Sequence, residues 1–264
     1  MKAGYHTVPL SFNRKVLIAS ASVTRRKNTI HCLSKADVTE PRRRIREHFD
    51  RTGEKLSFTA YVVKCLAQVI KQHPRMNAYI RRNRLVLLDD LTISVLVERE
   101  FQGESTPEPV GISQAQLKSY QQISNEIREA KGRPSGGLGS LSAATWIRFI
   151  PAFFLRSFVL WADKNIKFAR RYGKVAVTAV GMFTNDPVWF IPHGSATVLL
   201  TVGSIEKRSE MVEGKEEKRE YLCLTASFDH NVVDGAPAAR FMKQLLEIIS
   251  RGELIRALDK EELL

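Results

Sequence analysis

Apolar residues along this chain alternate between the two-residue period of β-strands and the wider spacing of helices. Residues 29–38 (TIHCLSKADV) predict a strand, and a helix follows from residue 42 to about 51, with Thr39 suited to the N-cap and Pro41 to the first turn. A second helix begins at Ser57, carries apolar residues at helical spacing and ends before Pro74. This alternation predicts a mixed α/β domain.

The remainder of the chain repeats the alternation. Further strands are predicted at residues 79–88, 91–98, 174–183, 196–205 and 221–228. Further helices are predicted at residues 114–131 and 237–249. The last two strands form a hairpin across the charged loop 206–220, and the final helix has Pro237 in its first turn and stops at Gly252.

The composition excludes several classes of protein. The chain has 264 residues, of which 44% are hydrophobic, and this is enough apolar material for a packed core and too much for a disordered chain. No signal peptide is visible, and no 18 consecutive apolar residues are free of charge. The three cysteines, Cys32, Cys65 and Cys223, lack CxxC spacing, so neither a disulfide scaffold nor a cysteine zinc site is indicated and a cytoplasmic location is expected.

The net charge of the chain favours anionic partners but does not select one class of them. The 41 Lys and Arg residues outnumber the 28 Asp and Glu residues and give a net charge of +13. An excess of this size favours nucleic acid, lipid headgroups or a phosphorylated cofactor such as coenzyme A. Nucleic acid has only the charge in its favour, because no recognition motif accompanies it.

Residues 132–173 interrupt the pattern. A stretch rich in Gly and Ser is followed by an aromatic and basic stretch, in which seven basic residues between 148 and 174 face one acid, Asp163. Two arrangements are open: a helical hairpin broken at Pro151 and packed on the same or a neighbouring subunit, or an amphipathic helix on an anionic membrane. We expect the packed hairpin, because large aromatic stretches in soluble chains are more often core.

The residues best suited to catalysis lie between the last predicted strand and the last predicted helix. His230 there has a side chain that titrates near neutral pH, so it is a candidate general base whose tautomer a nearby carboxylate, Asp229 or Asp234, could fix. On spacing alone, a hydrogen-bonded turn accounts for the same residues more often than catalysis does. A metal site is less favoured, because no second histidine lies within a few residues.

The segment DHNVVDGAPAARF resembles the HxxxDG signature of the 2-oxoacid dehydrogenase acyltransferase catalytic domain, a family related to chloramphenicol acetyltransferase. Other segments resemble that domain in the same order: GYHTVPLSFNRKV, TIHCLSKADVT, LSFTAYVVKCLAQVIKQHPRMNAYI, VAVTAVGMF and ATVLLTVGSIEKR. The resemblance implies one catalytic domain over residues 1–264. It also implies the chloramphenicol acetyltransferase-like two-layer sandwich, an α/β (α+β) fold with a mixed sheet and packed helices, carrying residues 132–173 as an apolar and basic helical insertion.

The resemblance further implies a direct, coenzyme A-dependent acyl transfer in a homotrimer whose active sites lie between subunits. By this similarity His230 is the general base, Thr178 donates to the oxyanion, and Asp234 supports the site through an ion pair with Arg14. Gly235 is expected to allow a sharp turn. Without the resemblance, Thr178 reads as an ordinary strand threonine.

Some features depart from the family. We expect a standalone core with neither a lipoyl domain nor a covalently bound lipoyl group, and with no metal. Asn231 follows the histidine where the family often has Arg, and the strand from Thr178 ends in TAVG rather than SNLG, so the acceptor, whether lipoyl or another small molecule, is left open. The alternative function is a non-catalytic structural or regulatory homologue that acts in an assembly, or at a membrane surface through residues 140–170.

Overall fold

The computed structural model describes residues 4–101, 104–133, 152–181, 184 and 186–255. The helices are α1 (Phe12–Thr24), α2 (Thr39–Thr52), α3 (Phe58–Gln72), α4 (Tyr120–Gly132), α5 (Ala152–Lys164), α6 (Ile166–Tyr172) and α7 (Gly235–Arg251), with a 3₁₀ turn at Pro74–Asn77. The strands are β1 (Thr29–Asp37), β2 (Ala78–Arg81), β3 (Arg84–Leu87), β4 (Ile93–Phe101), β5 (Glu104–Ile112), β6 (Val175–Ala179), β7 (Val198–Val212) and β8 (Lys215–Asp229).

A six-stranded mixed sheet in the order β1-β8-β7-β6-β4-β5 forms the centre of the fold. The neighbours β4, β6 and β7 run parallel, whereas β1, β8 and β5 pair with their neighbours antiparallel. β2 and β3 form a separate hairpin. The α/β class predicted from the sequence is therefore confirmed, with strands that mix both directions.

The apolar core lies between one face of this sheet and helices α3 and α7. Phe228 of β8 packs edge-on against Phe241 of α7, and both rings are fully buried. Tyr61 of α3 is also buried, and its hydroxyl donates to the carbonyl of Ile249 at 2.6 Å. This single hydrogen bond satisfies the one polar atom of a large buried side chain and joins the two helices.

The helix boundaries follow their capping residues. Ser57 accepts a hydrogen bond from the backbone of Ala60, and Gly252 ends α7 in the left-handed conformation, as the sequence predicts. Thr39 is the first residue of α2 rather than its N-cap, because the carboxylate of Asp37 accepts from both its backbone and its hydroxyl. The helix predicted from residue 114 begins only at Tyr120, after the capping box of Ser119.

Two predictions about strands are wrong. Residues 79–88 are not one strand, because Arg82 and Asn83 adopt positive φ angles of 46° and 62° and turn the chain into the β2–β3 hairpin. Residues 206–220 are not a loop, because β7 and β8 stay paired until Glu213 and Gly214 reverse the chain at φ 50° and 80°. Charged residues on both faces of this exposed ribbon replace the alternation of apolar and polar residues by which a strand is predicted from sequence.

Helices α5 and α6 form the described part of the 132–173 segment; the predicted break at Pro151 lies outside the described residues. α5 packs on α1 and buries Leu155, yet Phe153, Phe154, Phe158 and Trp161 are exposed. The described residues of this chain do not bury these four rings, and packing on a neighbouring subunit, the other arrangement expected for the hairpin, stays a prediction. No helix in the described ranges is long and apolar enough to cross a membrane.

Candidate active site

His230 lies in a tight loop that connects β8 to α7. The backbone N–H of His230 donates to the carbonyl of Asn28 at 2.6 Å, and the N–H groups of Val232 and Val233 donate to the carbonyl of Asp229 at 2.9 and 3.0 Å. The strand therefore turns directly into the helix, whose N-cap is Asp234. A side chain held between two rigid elements in this way keeps a defined position.

The ring of His230 has a defined tautomer. Its Nδ1 lies 3.0 Å from the carbonyl oxygen of Val233, and a carbonyl can only accept a hydrogen bond, so Nδ1 carries the proton in the neutral ring. The lone pair is then on Nε2. Because the residue is exposed, this nitrogen can accept a proton from a reactant, as a general base must. The group that fixes the tautomer is a main-chain carbonyl, rather than the carboxylate expected from the sequence.

The carboxylate of Asp229 supports the loop instead of the ring. One of its oxygens accepts from the backbone N–H and the side-chain amide of Asn231, at 3.1 and 2.8 Å, and the other lies 3.2 Å from the ammonium of Lys27. Asn28 also donates to Asn231, at 3.1 Å. Asn231 is thus part of the hydrogen-bonding network that holds the loop, a role its position next to the histidine did not reveal.

A second buried ion pair lies beside this network. The ammonium of Lys174 donates to Asp163 of α5 at 2.8 Å, and its charge interacts with those of Lys27 and Asp229. Burial lowers the pKa of Lys174, and the neighbouring Asp163 carboxylate acts in the opposite direction. α5 is therefore attached at the end of the sheet where His230 lies.

Thr178 is buried on β6, at the opposite end of the sheet from His230. It pairs with Thr201 of β7, which pairs with Thr225 of β8, and His230 follows Thr225 by five residues. Two strand spacings and five residues of strand correspond to roughly 19 Å between the Cα atoms of Thr178 and His230. One chain does not bring its candidate base and its candidate oxyanion donor together.

The three paired threonines form a polar row on the face of the sheet turned away from the core. Val177, Leu200 and Leu224 belong to the core, so the adjacent threonines point to the other face. The hydroxyls of Thr201 and Thr225 are buried, and neither has a hydrogen-bond partner among the described residues. The sequence contains the signal, a threonine at one position of each strand, but the pairing that aligns them comes only from the topology.

Gly181, the last residue of TAVG, is required by a close backbone approach. A Cβ atom there would lie 1.7 Å from the carbonyl oxygen of Gly203. The chain just after β6 can therefore approach β7 this closely only because Gly181 has no side chain. This contact fixes the strand that carries Thr178 against its neighbour.

The described residues of one chain do not show the predicted ion pair of Arg14 and Asp234, which stays a prediction. Both side chains are exposed, Arg14 on α1 and Asp234 at the start of α7, and the ion pairs among the described residues do not include one between them. Gly235 is the first residue of α7, and its φ angle is not positive. A Cβ atom at this position would contact nothing within 4 Å in this chain. The expected sharp turn is therefore ordinary helix entry.

A basic cleft lies between α2 and the outer half of the β7–β8 ribbon. Its volume is about 470 Å³, and its lining residues are Thr39, Arg46, Lys207, Arg208, Ser209, Lys218, Arg219 and Glu220. Glu220 is bound by Arg42 at 2.6 Å, while Lys207 and Lys218 are exposed. The sequence did not indicate this cleft, because the ribbon reads as a charged loop. Within the described ranges, no group of three or more His, Cys, Asp or Glu side chains is arranged to hold a metal ion.

The mixed sheet and its packed helices give this chain a fold of the chloramphenicol acetyltransferase type. The catalytic-domain model of the 2-oxoacid dehydrogenase acyltransferases matches residues 3–138 and 171–256. The chain belongs to this family. The matched ranges leave out residues 139–170, which include all of α5 and most of α6.

Curated relatives with similar sequences are named as acyltransferase components of dehydrogenase complexes. The chain is 29% identical over 258 residues to the lipoamide acyltransferase component of the Bacillus subtilis branched-chain alpha-keto acid dehydrogenase complex, covering 94% of this chain and 53% of the relative. It is 24% identical over 242 residues to the Staphylococcus saprophyticus dihydrolipoyllysine-residue succinyltransferase component of the 2-oxoglutarate dehydrogenase complex, covering 90% and 50%. The chain spans about half the length of the curated relatives it matches.

Solved structures agree on the fold. The dihydrolipoamide acetyltransferase of Azotobacter vinelandii superposes with a TM-score of 0.70 at 19% identity, covering 96% of this chain and 95% of that one. The cubic core of the pyruvate dehydrogenase multienzyme complex gives 0.69 at 19% identity, with the same coverage. A chloramphenicol acetyltransferase gives 0.50 at 12% identity, covering 92% and 100%. The predicted fold is thereby confirmed.

Proposed function

We propose that this protein transfers an acyl group from a coenzyme A or lipoyl thioester directly to a hydroxyl, thiol or amine acceptor, with His230 as the general base. The observation that carries the proposal is the hydrogen bond from Nδ1 of His230 to the carbonyl of Val233, which leaves the lone pair on the exposed Nε2.

The chemical steps follow from this geometry. Nε2 of His230 takes the proton of the acceptor, and the acceptor atom bonds to the thioester carbonyl carbon while the carbonyl electron pair moves to oxygen. The tetrahedral intermediate then collapses and expels the coenzyme A thiolate, which receives the proton from Nε2. The hydroxyl of Thr178 donates to the oxyanion, a contribution typically worth about a hundredfold to a thousandfold in rate.

The two groups must come from different subunits. With roughly 19 Å between Thr178 and His230 in one chain, a thioester carbonyl within hydrogen-bond reach of one is out of reach of the other. A neighbouring copy that brings its own Thr178 to this His230 completes the site, and closed rotational symmetry repeats it. We therefore assign a homotrimer, the smallest closed ring in which each subunit gives one group to each of two neighbours.

The basic cleft fits the charged end of coenzyme A. That molecule carries its phosphates at one end and its thioester at the end of a long arm, and Lys207 and Lys218 offer unsatisfied positive charge. The cleft begins six residues along β7 from Thr201, the partner of Thr178. In this proposal no metal takes part in recognition of the cofactor, and the reaction takes place in the cytoplasm.

The test is thiol release from a panel of acyl-coenzyme A thioesters, with dihydrolipoamide and a metabolite extract as acceptors. We expect His230→Ala to lower turnover about a hundredfold or more, because a positioned base contributes at least that much. His6→Ala, which removes another exposed histidine, is the matched control and should not change the rate. Equal turnover by His230→Ala and wild type would exclude His230 as the base.

A second candidate is a non-catalytic homologue that acts in an assembly or at a membrane surface. The exposed aromatic residues of α5 favour it, because a domain that works alone gains nothing from exposing them. Absence of thiol release, together with absence of coenzyme A binding, would favour this second function over the first.

A further inference from the structure

Helix α5 has two apolar faces, of which this domain covers only one. Leu155 is buried against the domain, whereas Phe154, Phe158 and Trp161 are 62%, 47% and 54% exposed. Their spacing of four and three residues places the three rings on one side of the helix. We define the aromatic patch as these residues with Phe153, Phe168 and Tyr172.

The rings of the patch are already in contact with one another. Phe168 of α6 lies 6.0 Å from Phe158 and 5.6 Å from Trp161, and it stacks on Tyr172 at 6.0 Å. Contacts of this kind hold the rings in place across both helices. The patch is thus a preformed surface, and a partner need not pay the full ordering entropy of each side chain.

Exposed cations surround the patch. They are Lys164, Lys167, Arg170 and Arg171, of which Arg170 also lies 3.8 Å from the carboxylate of Asp90. The guanidinium of Arg171 lies 5.5 Å from the Tyr172 ring. Asp163, the acid of these two helices, points inward to Lys174, so its charge does not offset the outer cations.

The inner face fixes both helices to the domain. Thr92 donates from its hydroxyl to the carbonyl of Arg170 at 2.8 Å, and the chain after α6 passes so close to Thr92 that a Cβ atom on Gly173 would lie 1.8 Å from the carbonyl oxygen of Thr92. Together with the pair of Asp163 and Lys174, these contacts orient the aromatic patch outward. In the described part of the chain, the outward rings of Phe154, Phe158 and Trp161 stay exposed.

We propose that the aromatic patch and its cations bind the surface of an anionic lipid bilayer. Aromatic rings with a rim of Lys and Arg match the two layers of such a surface, the acyl boundary and the phosphate headgroups. A second copy that packs the same patch against this one fits less well, because it would place the cations of the two patches against each other. The helices are too short to span the bilayer, so the protein lies on it.

The experiment is cosedimentation with vesicles of phosphatidylcholine, with and without phosphatidylglycerol. Wild-type protein should sediment only with the anionic vesicles, and less as the salt concentration rises. The double variant Phe158→Ser/Trp161→Ser should lose at least tenfold in partition coefficient. The matched control, Leu117→Ser/Met211→Ser, removes two exposed apolar side chains elsewhere, 70% and 71% exposed, and should bind within twofold of wild type.

Several results would overturn the proposal. One is wild-type protein that stays in the supernatant with anionic vesicles at low salt, and another is equal binding to neutral vesicles. Dissociation of the oligomer by Phe158→Ser/Trp161→Ser, measured by light scattering, would show that the patch contacts a second copy. Competition by an oligonucleotide at lower concentration than by the vesicles would make nucleic acid the partner. The circular dichroism of the variant controls for misfolding, and Lys164→Ser/Lys167→Ser repeats the test without altering apolar residues.

Discussion

Subunits that each lack one catalytic group should restore activity when they assemble together. His230→Ala removes the base and Thr178→Ala removes the oxyanion donor, and the two positions lie roughly 19 Å apart in one chain. If each active site uses His230 of one subunit and Thr178 of the next, a mixed trimer contains some sites in which both groups are intact.

The expected magnitude follows from counting. A site is intact when its His230 comes from a Thr178→Ala subunit and its Thr178 comes from a His230→Ala subunit. In an equal, random mixture each condition is met half of the time, so about one quarter of sites are intact. Each variant alone should retain about 1% of wild-type turnover or less. Mixing should thus raise the turnover to about 25% of wild type, a gain of at least tenfold.

The assay requires exchange of subunits. The two variants are coexpressed in equal amounts, the whole population of oligomers is purified through a tag common to both, and thiol release is measured per chain. The same two variants mixed after separate purification serve as the control without exchange. Mixed oligomers that keep the average rate of the two parents would refute a site shared between subunits.

Two further predictions concern the buried charges and the basic cleft. Asp163→Asn leaves the ammonium of Lys174 buried without its counter-ion, so urea denaturation should show a loss of about 3–5 kcal/mol in unfolding free energy, and adding Lys174→Met should recover most of it. Burial lowers the pKa of Lys174 in the folded state, so keeping its ammonium charged costs folding free energy below that pKa. This cost disappears as the pH rises from the lowered pKa towards 10.5, and wild type should therefore gain stability over this range relative to Lys174→Met. Lys207→Glu/Lys218→Glu should raise the KM for the acyl-coenzyme A about tenfold or more with kcat unchanged, whereas Lys215→Glu, beyond the cleft, should change neither; an unchanged KM in the double variant would exclude the cleft as the phosphate site.

Where the boundary of a helix depends on one residue, local signals in the sequence were sufficient to predict that boundary. Ser57 and Gly252 set the ends of their helices through contacts within four or five residues, so the sequence around them predicts the boundary. β5 had no such signal. It contains Pro107 and Pro109, which argue against a strand, and its position at the edge of the sheet tolerates residues that cannot donate to a neighbour.

The candidate site depends on contacts that sequence spacing does not reveal. His230 and Thr178 could be named by resemblance to the family, but their separation follows from strand order, in which β6 and β8 flank β7 and the two residues occupy opposite ends. Likewise, the carbonyl of Val233 as the partner of the histidine ring depends on the fold of a loop. The basic cleft requires two distant segments, α2 and the ribbon, to meet.

The aromatic patch and the His230 loop are connected through one short series of contacts. Asp163 of α5 holds Lys174, whose carbonyl accepts from the N–H of Thr197 at 2.7 Å, and the carbonyl of Thr197 accepts from the N–H of Asp229 at 3.0 Å. Asp229 is the residue before His230. A surface that binds lipid through α5, as proposed above, is therefore attached to the same end of the sheet as His230.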